Sequence, residues 1–260
     1  TGKDFRDLRI LFLGAGGAST GIASLMASAF ESHGLKRQEA VSRLRLVDRN
    51  GLVTADREAL DDWLAPFAPE CDAMDFIEAI ETFEPDALIG ATGMPGTFTE
   101  EAVRSMARLN ERPLIFALSN PTAHAECTAE QAYVWSEGRA IFASGSSFNP
   151  VEFEGTTFHP GQANNAYIFP GIGLGVSVSG AARVTESMFL AAADALAHSV
   201  TEKSLESGTV FPPLSQIRSV SQKIAEAVCE VAAKEGLVEQ PLDDTTVAGA
   251  IVDAMYEPRY

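Results

Sequence analysis

Ile10-Leu11-Phe12-Leu13-Gly14-Ala15-Gly16-Gly17-Ala18-Ser19-Thr20-Gly21 decides the fold. Four apolar residues in a row, continuous rather than alternating, predict a short strand buried on both faces. The glycines break it, and the small and apolar residues of 18–30 predict a helix. Strand, tight turn and helix in that order match a dinucleotide-binding fingerprint. Gly14 permits the turn, and Gly16 lets backbone N–H groups approach a pyrophosphate with no Cβ in the way. The helix then turns its positive N-terminal end toward the anion. Ser19 takes the place of the third glycine, a slot where another small residue still allows close helix packing.

Outward from this unit the pattern repeats. A helix over residues 36–43 leads into a strand over 44–47 that ends at Asp48. A carboxylate there can accept both hydroxyls of an adenosine ribose and repels a 2′-phosphate, which argues for NAD over NADP. Two alternatives stay open: Asp48 could be a solvated turn residue before Asn50-Gly51, and Arg49 could contact a 2′-phosphate as easily as a counter-ion. Helices over 74–83, from Thr99 onward and over 128–136 alternate with strands over 87–91, 113–118 and 140–143. Continuously apolar strands separated by helices predict an α/β fold with a doubly wound, Rossmann-type parallel sheet. A small hairpin or an extended excursion is expected over 151–159, then helices over 170–182, 185–199, 215–234 and 244–255. The expected division is a sheet domain over residues 1–182 and a C-terminal helical extension over 183–260 packed on it.

Charge and composition narrow the function. Nineteen basic against 36 acidic residues among 260 give a formal charge of −17, which repels a phosphate backbone and gives nothing to anionic lipid. Neither nucleic acid nor membrane is expected as a partner. No stretch approaches the ~20 apolar residues of a membrane span, so the chain reads as soluble. Cys71, Cys127 and Cys229 lie far apart, and no secretory leader precedes Arg9. A reducing compartment is therefore expected, cytoplasmic or the mitochondrial matrix.

Two further loops follow strand ends, where doubly wound folds place their ligand crevice: Ala91-Thr92-Gly93-Met94-Pro95-Gly96 and Ser119-Asn120-Pro121-Thr122. Asn120 offers donors and an acceptor without charge, although it could simply shape its turn. Gln162-Ala163-Asn164-Asn165 is a second amide cluster, and a shared polar pocket is the simpler account of all three loops. His33, His124, His159 and His198 show no ligand spacing and are expected at the surface or at helix caps. Asp61-Asp62, Glu100-Glu101 and Asp243-Asp244 read as solvated helix ends. No complete acid/base set is visible, so no residue is assigned as catalytic and none as a metal ligand.

Residues 10–21 (ILFLGAGGASTG), 48–57 (DRNGLVTADR), 112–131 (RPLIFALSNPTAHAECTAEQ), 141–150 (IFASGSSFNP) and 160–171 (PGQANNAYIFPG) strongly resemble, in order and spacing, the NAD(P)-binding domain of malic enzymes. The resemblance implies oxidation of malate with NAD(P), followed by decarboxylation to pyruvate and CO2 assisted by Mg²⁺ or Mn²⁺. It implies pyrophosphate binding by Gly14, Ala15, Gly16, Gly17 and Ala18, adenosine contacts from Asp48 and Arg49, and a place near the cofactor for Gly93. Asn120 and Asn164 or Asn165 would meet nicotinamide ribose and the substrate carboxylate. This chain has Ala163 where the family has glycine and Ser147 where it has proline. The family's catalytic tyrosine and lysine, its substrate arginine and its metal ligands precede this domain, so the chain is expected to be an excised, inactive piece. Alone it should be a monomer or weak dimer, the full-length enzyme a homodimer or homotetramer. A malolactic-type enzyme and a free-standing, non-catalytic NAD-binding module remain as alternatives.

Overall fold

The computed structural model describes residues 1–238 and 244–256. It divides into two compact units, residues 1–163 with 207–209, and 164–206 with those from 210 onward. In the first, β1 (Ile10–Leu13), α1 (Gly17–Ser32), α2 (Arg37–Ser42) and β2 (Leu44–Asp48) follow one another as the hydrophobic pattern predicts. β3 (Gly51–Leu52), α3 (Phe76–Phe83), β4 (Ala87–Gly90), α4 (Glu100–Leu109), β5 (Leu114–Ala117), α5 (Ala129–Trp135) and β6 (Ile141–Ser144) continue the alternation. The hairpin β7 (Val151–Phe153) and β8 (Thr156–Phe158) stands apart, and β9 (Gly161–Gln162) returns to the sheet.

Among the described residues the sheet order is β3-β2-β1-β4-β5-β6-β9, parallel except for β3 on β2. Apolar runs rather than alternation are what such a sheet needs, because both faces are covered. Leu11 and Leu13 enter one core with Ala79 and Ile80 of α3, Val103 and Met106 of α4 and Ala132 of α5. Ile10 and Phe12 enter the other with Ala23, Ala27 and Phe30 of α1 and Ala40 of α2. Fully burying a side chain such as Phe12 or Phe30 contributes roughly 1.5–3 kcal/mol, so the alternation of β1 between two cores anchors both helical layers.

Helix starts follow local chemistry. Thr99 caps α4, accepting from Ala102 N–H, and Glu100-Glu101 lie in its first turn. Thr128 and Gln131 close a capping box on α5, as do Asp75 and Glu78 on α3. Three elements escape the sequence reading. β3 lies within a stretch that reads as a turn, because its Gly51 (φ +94°) reverses the chain against Met74 carbonyl, which a Cβ would approach to 2.3 Å. β9 is two residues long, and α8 (Glu202–Glu206) has no marked periodicity. Asp61-Asp62 sit in a turn, not at a helix end, since Leu64 N–H bonds back to Asp61 carbonyl. Asp243 lies outside the described residues.

The second unit contains α6 (Phe169–Ser179), α7 (Glu186–Ala197), α8, α9 (Ile217–Lys234) and α10 (Asp244–Ala254). A Cβ at Gly171 would lie 2.6 Å from Ile224, and one at Gly175 would lie 2.7 Å from Val228. Glycines one turn apart therefore let α6 and α9 meet backbone to side chain, and α7 completes the core through Met188 and Ala192. This packing assigns α6 to the helical unit and puts the division after Ala163, earlier than residue 182. Among the described residues no helix is long and apolar enough to cross a membrane.

Candidate functional site

β1 lies between β2 and β4, so the chain leaves it toward one edge of the sheet and later returns on its other side. That reversal is the switch point at which doubly wound sheets take their ligands, beyond the carboxyl ends of β1 and β4. Register aligns the strand ends, with Leu13 beside Val47 and Gly90, Gly90 beside Ala117, and Ala117 beside Ser144. The next residues continue the ladder: Gly14 N–H bonds Val47 carbonyl at 2.8 Å and Ala91 N–H bonds Leu13 carbonyl at 2.9 Å. Gly14, Gly93 and Asn120 are thereby carried to one crest, as the sequence predicts.

At the crest the glycines do different things. Gly14 has φ +105°, and a Cβ there would stand 2.7 Å from Ala91 carbonyl oxygen, so β1 and β4 can converge only around glycine. Gly16 and Gly17 would place a Cβ in open space, and both are exposed together with Ala18. Gly16 is the N-cap of α1 and makes no side-chain cap hydrogen bond. The helix therefore begins with N–H groups that no side chain caps, beneath room for a ligand, which fits a pyrophosphate. Ser19, in the first turn, is fully buried, and its hydroxyl has no partner among the described residues. Ser19→Ala is expected to leave unfolding free energy unchanged or raise it by up to about 1 kcal/mol, because an unsatisfied buried hydroxyl contributes nothing favourable. A loss of more than that in urea unfolding would mean the hydroxyl has a partner.

Beyond β2 opens a cleft of about 650 Å³ whose wall includes Asp48, Arg49, Asn50, Asp56, Arg57 and Asp61. Asp48 Oδ2 accepts from Arg57 Nη1 at 2.6 Å, and Oδ1 accepts from Asn50 N–H at 2.7 Å. Burial pushes the Asp48 carboxyl up, but the Arg57 hydrogen bond, the Asn50 amide and the charges of Arg57 and Arg49 outweigh it and hold the pKa below its ordinary value. Arg57 also donates through Nη2 to Gly51 and Leu52 carbonyls at 2.8 and 2.7 Å, so its guanidinium is spent on the loop. Arg49 is exposed. Arg57 closes the family-like stretch 48–57, but the sequence reading gives it no role, since nothing nine positions past Asp48 shows that the two side chains meet.

The loops after β4, β5 and β6 are laced together. Gly93 N–H donates to Ser119 Oγ at 2.8 Å, and Gly93 carbonyl lies 2.8 Å from His124 Nδ1. His124 is exposed, as expected, and also ties two crest loops together. Asn120, exposed and followed by a cis peptide bond to Pro121, accepts from Ser146 Oγ. A Cβ at Gly145 would lie 2.7 Å from Asn120 Nδ2, so that glycine makes room for the amide. Asn164 and Asn165 belong to the second unit, where Asn164 Oδ1 accepts from Ala166 N–H at 2.8 Å and Asn165 is exposed.

Comparison with known proteins agrees with this crest. The family model described as "Malic enzyme, NAD binding domain" matches residues 1–233. The chain is 46% identical over 263 residues to NADP-dependent malic enzyme 4, chloroplastic, of Arabidopsis thaliana, covering 100% of this chain and 41% of that protein. It is 47% identical to the chloroplastic NADP-dependent malic enzyme of Zea mays, over 96% of this chain and 40% of that one. The chain thus spans about two fifths of the length of these relatives. The crystal structure of Entamoeba histolytica malic enzyme superposes with a TM-score of 0.73 over 97% of this chain and 49% of that chain, at 24% identity, which bears on the fold. The expectation of a cytoplasmic or mitochondrial-matrix setting does not stand, because these relatives are chloroplastic enzymes and charge and cysteine spacing do not distinguish one reducing compartment from another. With the fingerprint turn, the doubly wound sheet and the family match in agreement, the chain belongs to the malic enzyme family as its NAD(P)-binding domain.

Proposed function

We propose that the domain binds its dinucleotide along the crest, with the pyrophosphate over Gly14, Ala15, Gly16, Gly17 and Ala18 and the adenosine ribose at Asp48. Gly93 and Asn120 then stand at the nicotinamide end. The observation that carries this reading is the uncapped N-terminus of α1 beneath the open space at Gly16 and Gly17. In a protein of its relatives' length, the activity would be oxidative decarboxylation of malate to pyruvate and CO2, with assembly as a homodimer or homotetramer. The bound dinucleotide supplies the hydride acceptor, and this chain's residues orient it. Among the described residues no three His, Cys, Asp or Glu side chains converge on a point, so they do not fit the Mg²⁺ or Mn²⁺ that malic enzymes are expected to use.

The adenosine cleft favours NAD. Its wall carries Asp48, Asp56, Glu58 and Asp61 against Arg49 and Arg57, and Arg57 is already committed to Asp48. A 2′-phosphate would enter a net negative cleft. The relatives named NADP-dependent favour a second reading in which Arg49 turns to a 2′-phosphate. Fluorescence titration with NADH and NADPH separates the two. For NAD, the chain binds NADH more tightly than NADPH, and Asp48→Ala weakens NADH by about 1–3 kcal/mol through lost charge-assisted hydrogen bonds. Tighter NADPH binding that disappears in Arg49→Ala would establish the second.

A further inference from the structure

Glu126 is fully buried, which is unfavourable for a carboxylate unless hydrogen bonds replace the lost water. The described partners are not cations but donors from two crest loops. Oε1 accepts from Thr92 N–H at 2.8 Å, from Thr92 Oγ1 at 2.9 Å and from Ser119 Oγ, while Oε2 accepts from Ser119 N–H at 3.3 Å. Ser119 Oγ in turn accepts from Gly93 N–H. One side chain thereby holds the segment after β4 and the segment after β5 in a single arrangement.

A second observation shows that the fold makes room for it. β4 ends in Gly90, and a Cβ there would lie 2.5 Å from Glu126 Cγ and 2.6 Å from Cδ. Glu126 carbonyl also accepts from Phe98 N–H at 3.1 Å, fixing the far end of the same loop. An apolar residue in this position would pack without desolvating a carboxylate, but it would leave two backbone N–H groups and the Ser119 hydroxyl without this acceptor, while the Thr92 hydroxyl would keep Met94 carbonyl. The carboxylate is the side chain that can accept from all four donors at once.

We propose that Glu126 is a positioning residue for the nicotinamide end of the site. It sets Gly93 and Asn120 relative to each other and does not itself touch the dinucleotide. The inference rests on the reading that these two residues face the nicotinamide half. The adenosine half, at Gly16, Gly17 and Asp48, is held by other contacts and should be indifferent to Glu126.

The test compares NADH with AMP, measured by fluorescence titration and by calorimetry on the same protein. Glu126→Gln keeps the volume but places an amide N–H where Ser119 N–H or Thr92 N–H needs an acceptor. It is expected to weaken NADH by at least roughly tenfold, about 1.4 kcal/mol, and to change AMP by less than about twofold. Ser119→Ala leaves the carboxylate in place and removes only the hydroxyl bridge to Gly93, so it carries the test if Glu126→Gln does not fold. It should weaken NADH about three- to tenfold, again sparing AMP. Equal weakening of NADH and AMP would show a general structural role, and no weakening of either would show none; both outcomes overturn the inference. If the unsubstituted chain binds AMP but gains nothing from the nicotinamide half of NADH, the dinucleotide reading of this crest itself is overturned.

Discussion

Valine at position 16 is expected to abolish NADH binding while leaving the melting temperature within about 2 °C of the unsubstituted chain. Gly16 has φ −85° and ψ −178°, an extended conformation open to any residue, and its Cβ would meet nothing within 4 Å. The space it fills is the space proposed for the pyrophosphate, so binding should fall by more than about 100-fold, or roughly 2.7 kcal/mol. Valine at position 14 should act differently. At φ +105° a β-branched residue is strained, and its Cβ would press to 2.7 Å on the carbonyl oxygen of Ala91, a backbone atom of a residue whose N–H is tied to Leu13 carbonyl. Left-handed strain and the clash together should cost about 3 kcal/mol or more of stability, with binding lost as a consequence. Thermal melts and NADH titrations on both variants check this. NADH binding that survives in Gly16→Val would place the cofactor elsewhere.

Arg57→Ala is expected to lower unfolding free energy at pH 7 by about 2–3 kcal/mol, because it strips a partly buried carboxylate and two carbonyls of one shared donor. The pH dependence identifies the cause. The folded pKa of Asp48 is depressed, so the ionised carboxylate contributes stability that is present above its ordinary pKa of about 3.9 and is lost as pH falls through the folded value. Without Arg57 the raising effect of burial has less to oppose it. Urea unfolding should therefore show a constant difference between unsubstituted and variant chains above about pH 5, narrowing below about pH 4 as Asp48 protonates in both. A difference that stays the same at pH 3 would assign the loss to the carbonyl contacts alone. NADH should weaken by about tenfold at neutral pH, since Asp48 is then no longer held in place.

Much of the first unit is legible because its signals are local. The run Ile10–Leu13 is buried because it is uniformly apolar, Thr99 and Thr128 cap helices by bonds reaching three residues, and Gly14 turns where only glycine tolerates the conformation. The crest positions of Gly93 and Asn120 follow from the same periodicity, since a parallel sheet puts every strand end on one side. The division after Ala163 was not legible: the helix from Phe169 is apolar all round, and only the glycine contacts with Ile224 and Val228 show which core it serves.

The sequence alone specifies which residues can turn, cap and bury themselves, and so it specifies the order of strands and helices and the anion-ready start of α1. These are interactions between residues a few positions apart, and each residue type carries its own preference. Tertiary structure alone decides that Asp48 is held by Arg57, that His124 ties down Gly93, and that Glu126 sits against Gly90 under two loops. Partners in the last two pairs lie more than thirty positions apart along the chain, and a carboxylate or imidazole has the same formula whether solvated or enclosed. Which of these it becomes depends on where strand register carries its donors, and that is settled only when β1, β4 and β5 align.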